Sequence, residues 1–139
     1  MNVLYTAEAT AWGGRNGRAA SSDGNLDVTL VPPKELGGTG AGGTNPEQLF
    51  AAGYAGCFHS ALLLVAKASA VDIDGSAVTA RVGLGPADGG AWGLAVELLV
   101  EIPDVDRGIA EDLVAKAHAV CPYSNATRGN VDVQVGVVD

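Results

Sequence analysis

Six side chains carry most of the chemical potential of this 139-residue chain: Cys57, Cys121, His59, His118, Arg15 and Glu47. Each of the two cysteines, taken alone, is either a small buried hydrophobe or a redox thiol, and their number is too small for a disulfide scaffold or a four-thiolate zinc site. Cys57-x-His59 and His118-x-x-Cys121 together offer two sulfurs and two nitrogens. Side chains two apart on a helix point ~200° from one another, so Cys57 and His59 are poorly placed to share an ion, and no metal site is expected. Arg15 lies in a glycine-rich turn, where it is either a solvated cation or a guanidinium that stabilises a thiolate or orients an oxyanion. Glu47 opens a helix, where capping and the helix dipole already account for a carboxylate. Arg18, Arg81 and Arg107 have no comparable context, and Arg128 is close to Cys121 along the chain.

The elements that must position these groups follow from turn chemistry and periodicity. Leu4 to Ala11 alternates as a strand, Gly13 to Gly17 turns it at Asn16-Gly17, and Arg18 to Ser21 returns as a second strand. Leu26 to Leu30 is a third strand, and Pro32 to Gly43 a loop. A helix then begins with either Thr44 and Glu47 as a capping box or Asn45 as cap with Pro46 in the first helical position, and it runs to about Val71. Val78 to Leu84 and Trp92 to Ile102 form a second hairpin. Val105 to Ala119 is an amphipathic helix with Ile109, Leu113, Ala117 and Val120 on its apolar stripe, ended by Cys121-Pro122. Val131, Val133, Val135 and Val137 alternate as a final strand. The order ββ-β-α-ββ-α-β predicts an α+β fold with antiparallel β-sheets, in one domain spanning 1–139.

Composition narrows the class. The chain is 47% hydrophobic, which supports a core and disfavours disorder. Eight basic against sixteen acidic residues give a net charge of −8, which repels nucleic acid and anionic membranes. The start of the chain has no basic segment leading into an apolar run, so a cytoplasmic, reducing setting is expected. Leu49 to Ala66 is an 18-residue stretch without formal charge, the lower limit for a membrane span. Its glycines, His59 and Ser60, and the lack of an aromatic belt, favour a central helix buried on all sides.

Two long motifs carry a resemblance. Asn45-Pro46-Glu47-Gln48-Leu49-Phe50-Ala51-Ala52-Gly53-Tyr54 runs into Cys57-Phe58, and Val120-Cys121-Pro122-Tyr123-Ser124-Asn125-Ala126-Thr127-Arg128-Gly129-Asn130 follows later. With Gly14-Arg15-Asn16-Gly17-Arg18, Ser21-Ser22-Asp23-Gly24 and Glu35-Leu36-Gly37-Gly38, they resemble the organic hydroperoxide resistance branch of the Ohr/OsmC family over essentially Leu4 to Val137. The Cys-Pro-Tyr-Ser segment and the short N-terminus resemble that branch rather than its OsmC relatives. The resemblance implies an antioxidant thiol peroxidase acting on organic and lipid hydroperoxides. In it, Cys57 would be the peroxidatic and Cys121 the resolving cysteine, with Arg15 and Glu47 holding Cys57 as a thiolate. It also implies an intertwined homodimer with sheets wrapped around long central helices. No cofactor is bound in that picture; the lipoyl (dihydrolipoamide) groups of partner proteins restore the dithiol.

The residues fit that chemistry. The thiolate is the nucleophile, and an apolar setting raises a thiol's pKa, so a cation must compensate, Arg15 being the best placed in sequence. The apolar neighbours Phe50, Tyr54 and Phe58 are expected to line a pocket for bulky substrates. Glu47 and Cys57 are ten residues apart on one helix, ~15 Å along its axis and ~80° around it. Either a second subunit brings Glu47 and Arg15 to Cys57, or the helix breaks near Gly53. Two other readings compete. A long helix wrapped by sheet also resembles hot-dog thioesterases, with Glu47 as base or nucleophile, and a non-catalytic carrier of apolar ligands needs neither thiol.

Overall fold

The computed structural model describes residues 1–139, which form two compact units, 1–49 and 50–139. The first unit is an antiparallel meander of β1 (Ala9–Trp12), β2 (Arg18–Ser21) and β3 (Asp27–Thr29). β1 is shorter than the alternation from Leu4 predicts, because β2 offers partners only for Ala9 to Trp12. Leu4 and Tyr5, with nothing opposite them, are exposed. The β1–β2 turn closes through a short 3₁₀ turn, Gly14–Asn16, entered by Gly13 and Gly14 at positive φ. Gly17 is obligatory there: a Cβ would lie 1.7 Å from the Trp12 carbonyl oxygen. β3 ends at Thr29, and Leu30 instead makes a parallel bridge to Thr44.

Helix α1 (Pro46–Ala68) is one unbroken helix. Asn45, not the Thr44–Glu47 box, caps it: Asn45 Oδ1 accepts the Gln48 N–H at 2.8 Å, and Pro46 fills the first position, where no N–H is needed. It stops before Val71 in a Schellman turn. Ala70, at φ 54°, donates to Lys67 O, and Val71 donates to Ala66 O.

The second unit is built on a three-stranded sheet in the order β4-β5-β6, with β4 (Ala77–Pro86), β5 (Trp92–Glu101) and β6 (Asp132–Val138). β4 and β5 form the expected hairpin, whereas β6 runs parallel to β5, with Val96 opposite Val133 and Leu98 opposite Val135. The antiparallel expectation fails at this strand because two helices intervene, long enough to carry the chain back for a parallel pairing. These are α2 (Arg107–Val120), capped by Asp106, and α3 (Pro122–Thr127). Tyr54, Phe58 and Leu62 of α1, Val96, Leu98 and Val100 of β5, and Leu113 and Ala117 of α2 share one core. The larger of these, such as Phe58, Leu62 and Leu98, each add ~1.5–3 kcal/mol on burial.

Two burial expectations are corrected. The α2 stripe is rotated: Ala110, Leu113, Val114 and Ala117 are inside, while Ile109 and Val120 are about half exposed. α1 is long and apolar enough to cross a membrane by length and composition, yet within one chain only its Tyr54–Phe58–Leu62 face is buried, and Leu64 is 65% exposed.

Candidate active site

The four residues expected to carry the chemistry fall into two pairs. In the first unit the 3₁₀ turn presents Arg15 to Glu47, on the first turn of α1. The contact is bidentate, Nη1 to Oε2 at 2.8 Å and Nη2 to Oε1 at 2.6 Å. This fork holds the Glu47 carboxyl below its ordinary range, chiefly through the hydrogen bonds from Arg15, and raises the guanidinium in turn. Glu47 therefore anchors a guanidinium, and its own backbone N–H in the first turn of α1 also favours the carboxylate. The other arginines are spent elsewhere: Arg18 on Asp27 and over the Trp12 ring, Arg81 on Glu97, and Arg107 on Glu111.

In the second unit Cys57 and Cys121 meet. Their Sγ atoms are 3.6 Å apart and unbonded, although 64 residues separate them. Cys57 is half-buried on α1, and Cys121 is fully buried at the elbow where α2 ends and α3 begins. The elbow is local chemistry: Pro122 keeps the residue before it out of the helical region, so Cys121 has ψ 125°, and α3 then starts on Pro122. Burial pushes the Cys57 thiol up, while the backbone N–H of Tyr123 works the other way, favouring the thiolate.

The expected substrate-pocket aromatics are placed differently from the prediction. Tyr54 and Phe58 are fully buried core residues, and Phe50 is half-buried. Phe50, Tyr54 and Tyr123 form a mutually tilted cluster with ring centroids 5.7–6.2 Å apart. Within this chain Tyr54 is sealed in the core, whereas Phe50 and Tyr123 keep part of their surface. Gly53 makes room for Tyr123, whose Oη would be 3.1 Å from a Cβ at that position.

Sequence reasoning missed a polar network beside the thiols. His118 Nδ1 is 2.8 Å from Ser124 Oγ, which is 2.9 Å from Tyr54 Oη; Tyr54 Oη is 3.2 Å from Thr127 Oγ1. Thr127 Oγ1 donates to the Ser124 carbonyl at 3.2 Å. The available signal was the Ser124-x-x-Thr127 spacing just after Pro122, which puts two hydroxyls on one side of a short helix. Burial and the nearby Arg128 charge hold the His118 pKa down. Arg128 itself bonds the His118 carbonyl at 2.7 Å and Asn125 Oδ1 at 2.6 Å. His59 hydrogen-bonds Ser76 Oγ at 3.0 Å.

The fold and the site define an α+β protein with a paired-thiol centre. The family model described as OsmC-like protein matches residues 38–136, and the chain belongs to that family, in its organic hydroperoxide resistance branch. It is 56% identical over 132 residues to the organic hydroperoxide resistance protein of Xanthomonas axonopodis pv. citri, covering 94% of this chain and 92% of the relative. With OhrB of Bacillus subtilis it shares 52% identity, covering 96% and 97% of the two chains. The crystal structure of an organic hydroperoxide resistance protein from Elizabethkingia anophelis superimposes with a TM-score of 0.95 at 51% identity, covering 100% of this chain and 99% of that one.

Proposed function

We propose that this chain is a thiol-dependent peroxidase that reduces organic hydroperoxides, lipid hydroperoxides among them, to alcohols. The observation that carries this reading is the approach of Cys57 and Cys121, two unbonded sulfurs 3.6 Å apart, one half-buried and one buried. The Cys57 thiolate attacks a peroxide oxygen. The O–O bond breaks, the leaving alkoxide takes a proton and departs as the alcohol, and Cys57 becomes a sulfenic acid. The Cys121 sulfur then attacks Cys57 Sγ, the S–S bond forms, and the hydroxyl leaves as water. A dithiol such as dihydrolipoamide on a lipoylated partner protein restores both thiols in a reducing cytoplasm by taking up the disulfide.

The bidentate Arg15–Glu47 pair supports a charge role for that guanidinium toward the thiolate. Because α1 has no break near Gly53, the reading includes a homodimer in which Arg15 and Glu47 of one subunit serve Cys57 of the other. The half-exposed apolar face of α1, with Leu63 and Leu64, supports a second copy as its cover. The thioesterase alternative is disfavoured, since a carboxylate gripped by a guanidinium at two oxygens is a weak base.

Intact mass and free-thiol count before and after one equivalent of an organic hydroperoxide test the proposal. Loss of two hydrogens and of both thiols is expected. Unchanged thiols would overturn it.

A further inference from the structure

The polar network beside the thiols has a direction that can be counted. Four contacts link His118 Nδ1, Ser124 Oγ, Tyr54 Oη, Thr127 Oγ1 and the Ser124 carbonyl oxygen, and each needs one proton. The three hydroxyls supply three, and the carbonyl supplies none. All four are hydrogen bonds only if His118 Nδ1 carries a proton. It then donates to Ser124, Ser124 to Tyr54, Tyr54 to Thr127, and Thr127 back to the Ser124 carbonyl. No buried side-chain nitrogen or oxygen lacks a partner, so His118 Nε2, which has none within the chain, reaches solvent. Protonation at Nε2 leaves the chain of donors intact.

This network spans the element that carries Cys121. His118 is three residues before the elbow, on α2; Ser124 is three after it, on α3; and Tyr54 is on α1, three residues before Cys57. The elbow turns on the Cys121 backbone, which is extended in ψ between two helices. A hydrogen bond from His118 to Ser124 across it fixes the angle between α2 and α3. The Ser124–Tyr54 bond fixes α3 against the helix that bears Cys57. We propose that His118, as the Nδ1–H tautomer, is a positioning residue for the resolving step, holding Cys121 within reach of Cys57 through Ser124 and Tyr54. This rests on the reading that Cys121 resolves Cys57, and it assigns His118 no contact with substrate.

Two measurements test it. In protein labelled with ¹⁵N-histidine, the His118 signals, assigned by their loss in His118→Asn, should show a protonated Nδ1 in the reduced state. An Nε2–H tautomer with bare Nδ1 would overturn the proposal. The second measurement uses a chromogenic aromatic disulfide in place of a hydroperoxide. Cys57 attacks it and releases one aromatic thiolate; Cys121 then attacks Cys57 Sγ, closes the internal disulfide and releases the second. In His118→Leu the second release should slow roughly tenfold relative to the first, the effect of losing about one buried hydrogen bond. His118→Asn, whose side-chain N–H₂ stands where Nδ1–H stood, should recover most of the rate. An unchanged ratio in His118→Leu would overturn the proposal, and so would slowing that Asn fails to rescue, since ring packing against Phe58 would then be the cause. The assay contains no peroxide. Prompt closure in the wild-type chain without reduction of organic hydroperoxides would therefore refute the proposed function and leave the role of His118 standing.

Discussion

Cys121 Sγ lies 3.6 Å from Cys57 Sγ with no bond between them, the buried sulfur behind the half-buried one. In the proposed mechanism this asymmetry would order the chemistry: a reagent arriving from solvent would meet Cys57 first, and only an oxidised Cys57 would present a target to Cys121. Cys57→Ser should abolish turnover of organic hydroperoxides, checked by peroxide consumption with a dithiol reductant. Cys121→Ser should consume about one equivalent and then gain further oxygens at high peroxide, seen as sulfinic acid by intact mass. Sustained turnover without such overoxidation would remove Cys121 from the protective role.

Arg15→Ala should raise the Cys57 pKa and slow its attack, because burial already pushes the thiol up and the thiolate loses a cation. Thiolate absorbance titrated in a Cys121→Ser background checks this. Glu47→Gln should act through the same guanidinium. The double variant should then cost little more than Arg15→Ala alone, whereas additive effects would separate the two residues.

The Arg15–Glu47 fork should also appear in acid stability. The folded Glu47 pKa is below its ordinary 4.5, so the fork's contribution is complete above that value and is lost as pH falls through the lower folded pKa. Melting temperatures from about pH 6 downward should fall more steeply for the wild type than for Glu47→Gln, a variant with no carboxylate to titrate. Parallel curves would show that the fork adds nothing to folding.

Tyr54 is fully buried and its hydroxyl joins α1 to the Ser124 and Thr127 hydroxyls of α3. Tyr54→Phe keeps the ring and strands Ser124 Oγ and Thr127 Oγ1 short of a partner, for ~1–3 kcal/mol of lost stability. Urea unfolding measures it, and a midpoint equal to wild type would mean that the chain of hydroxyls is filled by water.

Chains carrying Cys57→Ser, which are inactive, and chains carrying Arg15→Ala, which are slowed, should exceed the activity of either parent when refolded together. A heterodimer would hold one composite site with Arg15 and Glu47 from one subunit and Cys57 from the other. A mixture no more active than the Arg15→Ala parent, with chain exchange verified by mass, would exclude action across the interface.

Local chemistry wrote the ends of the elements. Asn45-Pro46 starts α1, the glycines around Arg15 turn the first hairpin, and Cys121-Pro122 stops α2, because caps and turn dihedrals depend only on a few adjacent residues. The two cysteine motifs were legible as contiguous runs, and it was their resemblance to a known family that singled out Arg15, Glu47, Cys57 and Cys121 together. Partners were not. Whether Glu47 also grips Arg15 depends on a hairpin 32 residues away. Whether Tyr54 and Phe58 face a pocket or the core, and which stripe of α2 is inside, depends on where β5 and α2 pack. The parallel β6 and the hydrogen-bonded link from His118 to Tyr54 follow from the same packing. Sequence determined where this chain turns and which residues carry groups capable of chemistry; tertiary structure decided which of them meet, because burial and pairing are set by distant segments that no local pattern encodes.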